Sequence, residues 1–152
     1  MMGSLEGKLA VVTGASRGIG QAIALALGGM GATVAGTATS EAGAAQITKT
    51  LEERGVKGRG FVLNVADEGQ MGALLERAQS DFGRLYALVN NAGITRDNLL
   101  MRMKDSEWDE IMTTNLTAVF KLCRLCLRDL VKAREGRIIN IVSVSGEMGN
   151  AG

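Results

Sequence analysis

Three glycines, Gly14, Gly18 and Gly20, stand in "VVTGASRGIGQAIALAL" (Val11–Leu27), where an apolar, β-branched run meets a helical pattern. Glycine lets the backbone bend sharply and come close to a ligand. The unpaired N–H groups and the dipole at a helix start favour a negative charge there. The spacing, G-x-x-x-G-x-G, differs from the G-x-G-x-x-G dinucleotide fingerprint, but the order of strand, bend and helix is the same. Gly14, Ser16, Arg17, Gly18, Ile19 and Gly20 are therefore the expected cradle for a dinucleotide pyrophosphate. A flexible turn with no ligand is the plainer reading, and the strand and helix on either side weigh against it.

The second strand signal bears on which dinucleotide. An acidic residue about 20 residues beyond the glycines would hydrogen-bond the ribose 2′-OH of NAD. Here the strand ends "AGTATSE", with Thr37 and Thr39 at the expected positions and the first acid only at Glu41. Arg17 is expected to reach the same corner. A carboxylate repels a 2′-phosphate, whereas a guanidinium and hydroxyls attract it. One charge-assisted hydrogen bond contributes about 1.5–3 kcal/mol, roughly 10- to 150-fold in preference. NADP(H) is the expected cofactor. Further strand ends supply Asn64 and Val65, expected to cover the adenine, and Asn91, Ala92 and Gly93, expected to line the adenosine ribose with a close backbone approach.

These residues need a frame, and the chain supplies alternating strand and helix signals. Strands are expected over Lys8–Gly14, Ala32–Thr37, Gly58–Val65, Leu85–Gly93 (its end already a loop) and Gly136–Val144. Helices are expected over Ile19–Met30, Glu41–Arg54, Glu68–Phe82 and, from an N-cap at Ser106, to about Arg134. Strands alternating with helices of this length imply right-handed βαβ units, and strands apolar on both faces imply helices on both sides. The expected fold is one α/β domain over residues 1–152, a Rossmann-like doubly wound parallel sheet of strand order 3-2-1-4-5. Ligands bind such sheets beyond the carboxyl ends of the strands, where every candidate above lies.

Composition narrows the chemistry. The absence of histidine excludes His-based triads and His-ligated metals, and no metal site is expected. A net charge of +1 gives no general attraction to nucleic acid or anionic membrane. No apolar run approaches the roughly 18 residues of a membrane span, and two cysteines without an export signal suggest a cytoplasmic setting. "MMGS" reads as a loose start. "CRLC" (Cys123, Cys126) lies inside a helix, with neither a second pair nor a histidine, and reads as buried core thiols. Met101 and Met103 could border a substrate cleft or merely pack a loop.

Together, "TGASRGIG" (Thr13–Gly20), "NNAG" (Asn90–Gly93), Asn115 in the long helix and Ser143 after the fifth strand resemble the short-chain dehydrogenase/reductase family. The longer stretches "NNAGITRDNLLMRMKDSEWDEIMTTNL" (Asn90–Leu116) and "GRIINIVSVSGEMGNAG" (Gly136–Gly152) resemble its bacterial 3-oxoacyl-[acyl-carrier-protein] reductases. The resemblance covers essentially the whole chain. It implies hydride transfer from NADPH to the 3-oxo group of an acyl thioester on acyl carrier protein, in fatty acid synthesis. It also implies that Ser143 holds the carbonyl oxygen and that Asn115 anchors a water in the proton relay. Basic residues near Lys132, Arg134 and Arg137 would meet the acidic carrier protein, although a solvated helix end explains them equally well. A homotetramer formed through the long helices is a further implication.

The resemblance has gaps. The family's Tyr-x-x-x-Lys, about a dozen residues after the serine, is not in this sequence. The one tyrosine, Tyr86, opens the fourth strand and has Asn90 four residues on. Val142 stands where the family usually has Gly or Ser. There is no proline, against about seven at average usage of about 5%, and the apolar fifth strand lacks a partner on its outer side. The expectation is a chain truncated after the fifth strand, inactive as it stands because it lacks the general acid, whose loss costs about 10²–10⁴ in rate. Otherwise it is a non-catalytic nucleotide-binding fragment, or part of a reductase for another keto substrate.

Overall fold

The computed structural model describes residues 5–149; the "MMGS" start lies outside them, as do the last three residues. Five parallel strands form one sheet in the order β3-β2-β1-β4-β5. They are β1 (Leu9–Val12), β2 (Thr33–Ala38), β3 (Gly58–Val62), β4 (Leu85–Asn90) and β5 (Arg137–Asn140). The helices are α1 (Gly18–Gly29), α2 (Glu41–Glu53), α3 (Glu68–Phe82), α4 (Asp105–Met112), α5 (Ala118–Ala133) and the short α6 (Ser145–Met148). The doubly wound order expected from the sequence is the order observed.

Alternation along the strands sends successive side chains to opposite faces. Leu9 and Val11 join Leu85 and Leu88 against Met71, Leu74 and Ala78 of α3 and Ala118, Leu122, Cys126 and Leu130 of α5. Val12, Val34 and Val89 point the other way, against Ala24 of α1 and Ile47 and Leu51 of α2. The helical spacings of three and four residues bring each apolar stripe onto one face. β1, in the middle of the sheet, is fully buried along its length. β5 is different: it pairs only with β4, and Ile139, Ile141, Val142 and Val144 at and beyond its end are exposed.

The strands are shorter than their apolar runs because pairing stops where the chain turns to form the site. β1 ends at Val12 rather than Gly14, β3 at Val62 rather than Val65, and β5 at Asn140 rather than Val144. The long helix also departs from expectation. Ser106 is not its N-cap: α4 begins one residue earlier, and the Glu107 carboxylate accepts the Lys104 N–H at 2.8 Å. That bond holds the Glu107 carboxyl below its ordinary range. The helix is then interrupted by a π turn, Thr113–Thr117, in which the Ala118 N–H reaches back to Thr113 O. It ends at Arg134, in the left-handed conformation with φ 56°.

Cys126 is fully buried under the sheet and Cys123 is half-buried beside it. Burial pushes the Cys126 thiol up to about 12, with smaller contributions from Cys123 and Asp129. The folded chain therefore holds the thiol proton after the unfolded chain, at an ordinary value of 9.0, has lost it. The stabilisation is present below pH 9 and falls between there and about 12, by about 1.4 kcal/mol per pH unit for this group. Denaturant titrations across that range should show this slope, Cys126→Ala should lack it, and native Cys126 should resist iodoacetamide at pH 8.

Candidate functional site

The site is built where β1 and β4 end side by side. Thr13, 1% exposed, directs its hydroxyl across to β4. Oγ1 accepts the backbone N–H of Asn91 at 3.0 Å and of Ala92 at 2.9 Å, and donates to Val89 O at 3.4 Å. Asn91 returns the contact. Its Nδ2 donates to the carbonyls of Thr13 and Gly14, both at 3.1 Å. Apart from Val89 O, which also accepts the Thr13 N–H at 3.1 Å, these backbone groups lie beyond the sheet ladder, so a side chain must pair them if burial is not to cost free energy. Thr13 is not among the residues expected at the site; its signal in the sequence is a hydroxyl immediately after a fully apolar strand.

The clasp fixes the glycine loop. Gly14 has φ 65°, a conformation that side chains disfavour. A Cβ on Gly20 would lie 2.1 Å from Gly14 O and 2.4 Å from Asn91 Nδ2, so this helical position admits only glycine. The N-terminus of α1 then faces open space without a side-chain cap at Arg17. In contrast, Ser40 caps α2 and Asp67 caps α3 through the N–H groups of Gly43 and Gln70. Arg17 is exposed and forms no ion pair among the described residues. These are the features of an anion site.

Every residue expected from the sequence to meet the cofactor lines one groove of about 630 Å³: Gly14, Ser16, Arg17, Gly18, Ile19, Gly20, Thr37, Thr39, Asn64, Val65, Asn91, Ala92 and Gly93. Ala38, Leu63, Ile94 and Thr114 complete its walls. Thr37 does not present its hydroxyl as expected. It is 1% exposed, and its Oγ1 accepts the Gly14 N–H at 3.3 Å, so it braces the loop. Thr39 is exposed at the groove. Asn64 uses Oδ1 for the Ala66 N–H at 3.0 Å, and Val65 is buried with only its edge on the groove.

A second groove, of about 900 Å³, shares Arg17, Ile19, Asn91, Ala92, Gly93 and Ile94 with the first and extends to Asn115, Leu116, Asn140, Val142 and Ser143. The π turn sets Asn115 against the loop after β4. Its Oδ1 accepts the Ile94 N–H at 2.9 Å and its Nδ2 donates to Ile94 O at 2.8 Å. That amide is a bidentate clamp on the chain. Ser143 is exposed and accepts the Ser145 N–H at 3.2 Å, which leaves its own proton free to donate. Ser145 opens α6. Met101 is 92% exposed, and neither it nor Met103 lines either groove. Tyr86, at the base of β4, lies under Lys8 Nζ, 4.9 Å from its ring centroid.

A doubly wound parallel sheet with a glycine-braced helix start at its switch point defines a Rossmann-like α/β protein. Residues 8–152 match the short chain dehydrogenase family, and the chain belongs to it. It is 58% identical over 149 residues to the "3-oxoacyl-[acyl-carrier-protein] reductase FabG" of Pseudomonas aeruginosa, covering 98% of this chain and 60% of that protein. The protein of the same name from Escherichia coli is 56% identical over 149 residues, with the same coverage. That of Haemophilus influenzae is 58% identical over 148 residues, covering 97% of this chain and 60% of the relative. The chain thus spans about 60% of the length of the curated relatives it matches.

Among the described residues there is no cluster of three or more acidic or cysteine ligands that could hold a metal, and no helix long and apolar enough to cross a membrane.

Thr13→Val removes the acceptor for two N–H groups at nearly constant shape. It should cost about 1–3 kcal/mol per orphaned group, read as a lower thermal midpoint, whereas Thr13→Ser should stay near the parent. Gly20→Ala should be more damaging than Gly69→Ala, where an added methyl approaches only a side-chain oxygen of Asp67, at 3.3 Å.

Proposed function

We propose that this chain is the nucleotide-binding part of an NADPH-dependent reductase acting on 3-oxoacyl thioesters carried by acyl carrier protein. The observation that carries the proposal is the continuity of the two grooves. The one lined by the glycine loop opens along Asn91–Ile94 into the one lined by Asn115 and Ser143. The relatives' names give the substrate class, and the identity of 56–58% supports carrying it over.

The residues fit such a cofactor. The uncapped start of α1 and the Gly14–Gly20 approach would hold the pyrophosphate, and the groove between Arg17 and Thr39 would take a 2′-phosphate. Thr37 contributes through the loop it braces rather than by direct contact. When bound, NADPH supplies the hydride. Ser143 would donate its free hydroxyl proton in a hydrogen bond to the substrate carbonyl oxygen, favouring the charge that develops there. Asn115 would hold Ile94, and with it the wall common to both grooves, at a fixed distance from Ser143.

Two surfaces suit the proposed partners. Arg134 and Arg137 line a shallow recess at the end of α5, with Lys132 in the helix's last turn, and these cations would face an acidic carrier protein. Leu116, Phe120, Leu127 and Val131 form an exposed apolar stripe along the long helix, with Trp108 exposed on α4. That stripe is the surface for assembly into a homo-oligomer, a tetramer on the family's pattern.

The lack of a Tyr-x-x-x-Lys in the 152 residues supports a second reading for this chain taken alone, a nucleotide binder without turnover. Calorimetry on the chain should give tighter binding of NADPH than of NADH, by roughly 10- to 150-fold for one charge-assisted contact, and Arg17→Ala should reduce that ratio. Equal affinities would overturn the cofactor assignment. NADPH oxidation with a 3-oxoacyl thioester should be absent for the 152-residue chain and present for a protein of the relatives' full length. There, Ser143→Ala should lower kcat by about 10²–10³, the typical effect of losing one such donor, while leaving NADPH affinity unchanged.

A further inference from the structure

Asn90 ends β4 with a carboxamide that is buried, 4% exposed, and only half used. Its Nδ2 donates to Asn140 Oδ1 across the β4–β5 pair at 2.9 Å and approaches Cys123 Sγ at 3.5 Å. Its Oδ1 has no measurable access to solvent and accepts no hydrogen bond from any described residue. Buried amide oxygens are rarely left so; where the protein supplies no donor, an ordered water does.

There is room for one. The contact with Cys123 sets the carboxamide on the α5 side of the sheet. On that side a crevice lined by Asn90, Thr13, Thr114, Val65, Ala118 and Leu122 leaves about 10 Å³ for the centre of a water-sized sphere. That is the room one water needs and too little for anything larger. Thr13 has both lone pairs and its proton engaged. Thr114 is the opposite case: its hydroxyl makes no hydrogen bond to any described residue.

We propose that this crevice is a binding site for a single buried water, which donates one hydrogen bond to Asn90 Oδ1 and is held on its other side by the Thr114 hydroxyl. A cation is the wrong occupant, because no carboxylate lines the crevice, whose remaining walls come from Val65, Ala92, Ala118, Val119 and Leu122. The water joins the end of β4, whose next residue Asn91 holds the glycine loop, to the π turn that presents Asn115. It would thereby tie the nucleotide groove to the second groove through the interior, independently of which reaction the protein performs.

A high-resolution crystal structure of the chain tests this directly. A water oxygen should lie about 2.7–3.2 Å from both Asn90 Oδ1 and Thr114 Oγ1. Thr114→Ser should keep it, and Thr114→Val should lose it. An empty crevice, or a protein group donating to Asn90 Oδ1, overturns the proposal, and a water that persists in Thr114→Val overturns the bridge to Thr114. If Thr114→Val does not fold, water-to-amide NOEs in the unaltered chain decide instead: long-lived cross-peaks to the Thr114 or Ala118 N–H support the site, and their absence removes it.

Discussion

The hydrogen bonds between Thr13 and Asn91 are the contact on which the site depends. Two parallel strands end side by side, and beyond their last ladder bonds their backbone groups would be orphaned in a desolvated place. One hydroxyl and one carboxamide pair four of them: the N–H groups of Asn91 and Ala92 and the carbonyls of Thr13 and Gly14. The same bonds set the curvature of the glycine loop. With Asn91 Nδ2 and Gly14 O in place, the helix behind the loop can approach only if position 20 has no side chain. A satisfied polar clasp and a steric exclusion thus produce one result, an open helix N-terminus beside a groove.

The second groove follows from the first through Asn115. Parallel strands need long crossovers, and the chain from β4 to β5 runs through α4 and α5. A continuous α-helix would carry Asn115 at one angle; the π turn adds a residue to the turn and changes it. The carboxamide then meets the Ile94 backbone with both of its ends. Ile94 lies four residues past the end of β4, so the loop wall and the helix are locked to each other.

Charged residues play a secondary part. Glu68 reaches Lys121 at 2.9 Å and Arg124 at 3.0 Å, which depresses its carboxyl and links α3 to α5. Lys8 meets Glu135 at 2.6 Å at the opposite end of the sheet. All are exposed or half-exposed pairs, whose contribution is modest beside the apolar faces they border. The packing of Leu9, Val11, Leu88 and Leu122 on one face and Val12, Val34, Val89 and Ile47 on the other holds the layers together.

Strand order, the helices on both faces and the residues that line the groove beyond the ends of β1, β2 and β4 are legible in the sequence. They follow from local patterns: β-branched apolar runs, helical spacing of leucines and alanines, and glycines at a strand–helix junction. The use of each side chain was not legible. Thr37 looked like a ligand for a phosphate and is a brace, because the strand's alternation turns its hydroxyl inward to Gly14 N. Asn91 looked like a groove wall and is also the bond that holds the loop. Ser106 looked like a cap, but Glu107 could reach back to the Lys104 N–H and the helix began earlier. Sequence determined which elements form and in what order, since periodicity is encoded residue by residue. Tertiary structure decided which polar groups meet across 20 to 80 residues of chain, since hydrogen bonds depend on distances that no local pattern contains.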